Sequence, residues 1–259
     1  ELLDFLIADC GQKHTNISLP SLRIDSFSLD VMSKVQDVKK SSLTFAPEAG
    51  SQRLRDVINK NLYEQDLLDS CAVAFAAGYN SVKLYFMMGL PTETEEDLAG
   101  IAAIVRNVIR TFRQTASNKA RGVKITVGVS TFVPKDQPPF QWLGQNSREQ
   151  VRQKQEFLRE QLKIKNVSFS LHKSESSYLE AVFARGDRRL SAVIYQAWKN
   201  GCNLDAWDEY FQFEAWMDAF ESCGLDPDFY AYRQQGKDEV LPWDHIFSGV
   251  TKEYLRSEY

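Results

Sequence analysis

An α/β fold built from parallel βα units is the class this sequence predicts, on two observations. Apolar runs rich in β-branched and aromatic residues alternate with amphipathic helical stripes, and most of these segments close on a Gly or Pro. "SLRIDSF" (21–27) reads as the first strand and "SSLTFAP" (41–47) as the second. Leu67, Leu68, Cys71, Ala74 and Phe75 then form a helical stripe that Gly78 ends. "NSVKLYFMMGLP" (80–91) is a third strand, closed by Gly89 and Pro91. After "TETEEDL", Leu98, Ile101, Val105, Val108, Ile109 and Phe112 recur at helical spacing, and Thr92 with Glu95 is placed for a capping box. "VKITVGVSTFVP" (123–134) and "VSFSLH" (167–172) complete five candidate strands. The alternation fits an open α/β sheet or a piece of a (β/α) barrel.

The character changes after about residue 145. "SREQVRQKQEFLREQLK" (147–163) is a charged helix with Val151, Phe157, Leu158 and Leu162 on its inner side. Leu190, Val193, Ile194, Ala197 and Trp198 make one further stripe, and Phe213, Trp216, Met217 and Phe220 another. All five tryptophans lie at residue 142 or beyond. The expected organisation is a barrel-type domain over 1–145 and a mainly helical, aromatic-rich extension with short strands over 146–259.

With 259 residues, 43% hydrophobic and 25% charged, the composition is that of a globular protein. A net charge of −4 gives no global bias toward nucleic acid or anionic membrane. No apolar run is long enough to span a bilayer. The chain opens on "ELLDFL" without Met, which reads as the inside of a longer polypeptide. Cys10, Cys71, Cys202 and Cys223, and His14, His172 and His245, are scattered with no short metal spacing. Cys71 reads as a small core residue, and the pattern suits a reduced, cytoplasmic setting.

In parallel α/β folds ligands sit at the carboxyl ends of strands. That rule selects Arg23 and Asp25, Glu48, Met87, Met88 and Gly89, and Ser130, Thr131 and Phe132. Each has a plain structural reading as well: Glu48 as a helix cap, the methionines as core filler, "GLPTET" as a strand-to-helix turn. "ARGDRR" (184–189) reads either as an anion contact or as an ion-pair cluster neutralised by Asp187 and Glu180. By themselves these residues specify a ligand-binding α/β domain and no reaction.

"YFMMGLPTETEEDL" (85–98) resembles the fifth-strand signature of the radical S-adenosylmethionine (SAM) superfamily, and "APEAGSQRLRDVINK" (46–60) resembles its fourth strand and helix. "SLPSLRIDSF", "STFVPK", "PFQW", "LEAVFARGDRR" and "LPWDHI" extend the resemblance to a group of radical SAM proteins that usually carry an amino-terminal cobalamin-binding domain. Where that group tends to have Pro-x-Thr-Pro-Phe-Gln-Trp, this chain has "KDQPPFQW". The superfamily's C-x-x-x-C-x-x-C pattern, which holds a [4Fe–4S] cluster, does not occur. The resemblance therefore implies the carboxyl-terminal part of a TIM-like radical SAM barrel, with the cluster loop upstream and this piece inactive alone.

The same resemblance implies roles for individual residues. Glu48 would contact SAM through its amino group or ribose hydroxyls, and Lys60 would meet its carboxylate. Backbone at Met87 and Met88 would receive the adenine edge, Ser130 and Thr131 would flank it, and Arg23 is a further candidate. The implied chemistry is reductive cleavage of SAM to a 5′-deoxyadenosyl radical, with flavodoxin or ferredoxin as electron donor and a cobalamin-dependent step where that domain is present. Two rival readings are a SAM-binding or scaffold module without catalysis, and an iron-free α/β-barrel enzyme using Glu48 and Lys60 as acid and base.

Overall fold

A computed structural model describes residues 43–120 and 122–259, together with the isolated positions Phe5 and Asp9. The expected strand at 21–27, with Arg23 and Asp25, and also Cys10 and His14, lie outside the described residues. The contacts divide the chain into two compact units: 1–130 with 154–171, and 131–153 with 172–259.

Among the described residues of the first unit four strands form one sheet in the order β1 (Leu43–Glu48), β2 (Ser81–Met88), β3 (Lys124–Thr131) and β4 (Val167–Leu171). The β1–β2 and β3–β4 pairs are parallel, so the α/β expectation holds for each strand that is described. Between the strands run α1 (Gln52–Val57), α2 (Glu64–Ala76) and α3 (Glu95–Thr115). The alternation of β2 and β3 buries Val82, Leu84, Phe86 and Met88 with Ile125, Val127 and Val129 on one face. The other face is polar: Lys83, Tyr85 and Ser130 are exposed, and the Thr126 and Ser168 hydroxyls stand 3.3 Å apart. Gly128 is small because the Tyr85 ring occupies the space that its Cβ would need.

The α2 and α3 stripes bury Leu67, Cys71, Ala74 and Phe75, and Leu98, Ile101, Val105, Val108 and Phe112. Phe75 and Phe112 meet edge to face at 5.1 Å. Burial pushes the Cys71 thiol up to about 12, as suits a core cysteine. The cap of α3 lies two residues beyond the expected Thr92: Thr94 is the N-cap and Asp97 its reciprocal partner. The "TETEED" run offers several Thr–acid pairs at capping spacing, and Thr92 is unavailable because it adopts φ 64° in the preceding turn.

The second unit comprises a 3-10 turn (Pro139–Trp142), the start of α4 (Arg148–Gln161), and α5 (Ser174–Ala184), α6 (Leu190–Lys199), α7 (Phe213–Ser222), α8 (Pro227–Ala231) and α9 (Lys252–Glu258). One core gathers Tyr178, Val182, Leu190, Val193, Ala197, Phe220 and Tyr230. A smaller one joins Trp142 to Leu241, Trp243 and Leu255, and Trp243 Nε1 donates to Gln141 Oε1 at 2.6 Å. "PFQW" and "LPWDHI", a hundred residues apart in sequence, are thus two halves of one cluster. On α6 the buried arc is narrower than the stripe suggests: Ile194 and Trp198 are exposed, because only Leu190, Val193 and Ala197 face the core. Glu180 pairs with Lys135 and leaves Asp187 to pair with Arg189.

Candidate functional site

The site is built where β1 and β2 end side by side, with Glu48 in register with Phe86 across a β-bulge. Glu48 takes a left-handed conformation, φ 67°, and Gly89 (φ 79°) and Thr92 (φ 64°) do the same beyond β2. A positive φ is unfavourable for Glu and more so for β-branched Thr, and such strain concentrates at functional sites. It persists only where the surroundings hold it.

The structure shows what holds it. Ser51, not Glu48, caps α1, its Oγ accepting from the Leu54 N–H at 3.1 Å. The helix ends after one and a half turns in a Schellman motif. Asn59 (φ 53°) donates its N–H to the Asp56 carbonyl at 3.0 Å, and the Lys60 N–H donates to the Arg55 carbonyl at 2.8 Å. Asn tolerates the left-handed position, so the Asn–Lys pair turns the chain back toward the strand end. Lys60 Nζ then reaches Glu48 Oε1 at 3.2 Å, and both side chains remain partly exposed.

The β1–α1 connection is locked to the start of α3. Asp97 accepts from Ser51 Oγ, from an Arg53 guanidinium N–H and from the Thr94 N–H. Burial alone would raise this carboxyl; the hydrogen bonds from Ser51, Thr94 and Arg53 outweigh it and bring it to about 2. Arg53 also donates to the Thr92 carbonyl (2.9 Å) and hydroxyl (3.0 Å), fixing the strained residue. Arg55 is buried and donates to the Ala49 carbonyl at 2.8 Å.

Glu93 is the residue that sequence reasoning missed. Its side chain is 1% exposed and accepts from the Gly89 N–H at 2.8 Å and from Lys154 Nζ at 2.7 Å. Burial raises its carboxyl above the ordinary range, against the pull of Lys154 and the Gly89 and Leu90 N–H groups. It closes the turn after β2 and so fixes the backbone at Gly89. The "GLPTET" run was the available signal for Glu93. Lys154, sixty-one residues on and in a charged helix, had none.

The named strand-end residues do not all point one way. Met87 is half-buried and Ser130 exposed, on one face, and Ser130 Oγ donates to the Phe86 carbonyl at 3.4 Å. Met88 and Thr131 alternate onto the opposite side and are buried. Thr131 Oγ1 has no hydrogen-bond partner among the described residues. Arg23 lies outside the described residues. Among those described, no group of three His, Cys, Asp or Glu side chains could hold a metal ion.

Residues 1–105 match the radical SAM superfamily, a span that includes Glu48, Lys60, Met87, Met88 and Glu93. An uncharacterised protein of Methanocaldococcus jannaschii is 32% identical over 196 residues, which are 75% of this chain and 39% of the relative. The chain thus spans about two fifths of that relative's length.

Proposed function

We propose, from the match of residues 1–105 to the radical SAM superfamily, that this chain forms the SAM-binding part of a radical SAM enzyme, with Glu48 and Lys60 holding the amino-acid end of SAM. The ion pair at the end of β1 carries the reading. A partly exposed Glu–Lys pair contributes little to stability. A zwitterionic amino acid inserted between the two groups replaces one ion pair by two charge-assisted contacts: its ammonium donates to Glu48, and its carboxylate accepts from Lys60. The strain at Glu48 fits a carboxylate held in place for a ligand. Backbone at Met87 to Gly89, with Gly89 held by Glu93, would take the adenine edge, with the Ser130 hydroxyl on the Met87 face and Arg23 as a further contact. Met88 and Thr131 would act through backbone only.

This chain's cysteines do not fit a [4Fe–4S] cluster. The C-x-x-x-C-x-x-C pattern does not occur, and the chain's four cysteines lie far apart in sequence. Next to a reduced cluster SAM is a source of the 5′-deoxyadenosyl radical; the residues described here bind and orient it and take no part in electron delivery. An electron donor such as flavodoxin or ferredoxin, and a cobalamin-dependent step, belong to the whole protein in this reading.

The test uses the full-length protein, reconstituted with iron and sulfide in the absence of oxygen. The reading expects an EPR signal of a reduced [4Fe–4S] cluster that changes when SAM is added. A protein that takes up no cluster, or a signal indifferent to SAM, would overturn the enzymatic reading and favour a SAM-binding or scaffold module.

A further inference from the structure

"PFQW" and "LPWDHI" frame a cavity of about 380 Å³ in the second unit. Its apolar lining comes from Trp243, Ile246, Phe247, Val250 and Leu255. Two ties fix its shape. Gln137 Nε2 donates to the Ile246 carbonyl at 2.9 Å, and Lys252 Nζ donates to Asp244 at 2.6 Å and to the Glu239 carbonyl at 2.8 Å. A preformed, mainly apolar cavity of this size suits a small molecule.

One polar group of this cavity is left over from the fold. Gln141 lines it and is only 2% exposed. Its Oε1 accepts from Trp243 Nε1 at 2.6 Å and from the Gln137 N–H at 3.2 Å. An indole and a peptide nitrogen can only donate, so the amide oxygen must face both of them and the NH2 group must turn away. That NH2 group has no partner among the described residues, and it is not sealed from solvent as the neighbouring Trp142 indole nitrogen is. Joining the two motifs explains the oxygen of Gln141 and leaves its NH2 group unexplained. A nearly buried donor is costly unless something accepts from it.

Charge narrows what that acceptor belongs to. Lys252 is paired with Asp244, and the exposed Glu253 forms no ion pair among the described residues. The lining therefore carries one uncompensated negative charge, which opposes an anion. We propose that this cavity binds an uncharged aromatic ring bearing a carbonyl or ring-nitrogen acceptor, of the aromatic carboxamide type. The ring packs on the apolar lining, and the acceptor takes the hydrogen bond of the Gln141 NH2 group. This site is independent of the SAM reading.

The experiment is ligand-observed NMR titration of the 259-residue chain with nicotinamide, nicotinate and benzamidine. Nicotinamide offers acceptors without charge, nicotinate is its anionic counterpart, and benzamidine is a cation that only donates. Nicotinamide is expected to bind at least tenfold tighter than either. Gln141→Glu keeps the oxygen that Trp243 and Gln137 need and turns the free donor into an acceptor. This variant is expected to weaken nicotinamide at least tenfold and to prefer benzamidine. Val250→Trp, at a position that is 41% exposed, fills the cavity and is expected to abolish binding with Gln141 in place. Nicotinamide that does not bind, that binds no tighter than nicotinate or benzamidine, or that binds both variants as it binds the unsubstituted chain would overturn the proposal.

Discussion

Gly50 and Gly100 meet backbone to backbone, and neither position has room for a Cβ. A methyl group on Gly50 would run into the Asp97 carbonyl and the Ile101 amide; one on Gly100 would run into the Gly50 carbonyl. This close approach seats the β1–α1 connection on α3, so that Ser51 and Arg53 reach Asp97. Substituting Ala at either position forces backbone apart and is expected to cost about 3 kcal/mol or more, read as a lowered urea midpoint. An Ala variant of unchanged midpoint would mean that the two segments are not in this contact.

Asp97 makes the same junction acid-sensitive. Its carboxyl sits at about 2 in the fold against an ordinary 3.8. A depressed carboxyl contributes stability that is complete above about pH 4 and is lost as the pH falls through about 2. The contribution is about 2 kcal/mol. Asp97→Asn is expected to lower stability by about that amount at pH 7 and to flatten the curve between pH 4 and 2. Denaturant unfolding at a series of pH values reads both effects.

Glu93 and Lys154 form a pair whose members behave unequally when removed. Lys154→Met leaves a buried carboxylate without its cation, at an expected cost of about 3 kcal/mol. Burial already raises Glu93 above its ordinary 4.5. In the variant the rise is larger, and stability is expected to fall as pH climbs above about 4.5. Adding Glu93→Gln removes the charge and is expected to recover most of the loss, a coupling that a double-mutant cycle measures. Additive losses would contradict it.

The parts legible in the sequence were those governed by local pattern. The runs at 80–91, 123–134 and 167–172 each contain an observed strand and the run at 41–47 falls one residue short of the end of β1, while the α2 and α3 stripes bury the expected residues except Leu68 and Ile109, which are half-buried; period and chain punctuation are local properties. What the sequence hid depends on tertiary contact. The cap at Thr94 rather than Thr92 is decided by Arg53, which holds Thr92 in the turn. Glu93 looked like one acid in an acidic run until Lys154 was seen to cover it. The Gly50–Gly100 approach has no signature in either neighbourhood. Glu48 was selected by its place at a strand end, and Lys60 by resemblance alone; the Schellman turn at Asn59 is the physical reason that twelve residues of separation become a 3.2 Å contact.

The most direct test of the account asks whether that contact is a clasp for an amino acid. Calorimetry would compare binding of SAM and of methylthioadenosine, which lacks the amino-acid end, to the chain and to its Glu48→Gln and Lys60→Met variants. The account predicts that each variant weakens SAM about tenfold or more and leaves methylthioadenosine unchanged. SAM binding indifferent to both substitutions would contradict it and remove Glu48 and Lys60 from the site.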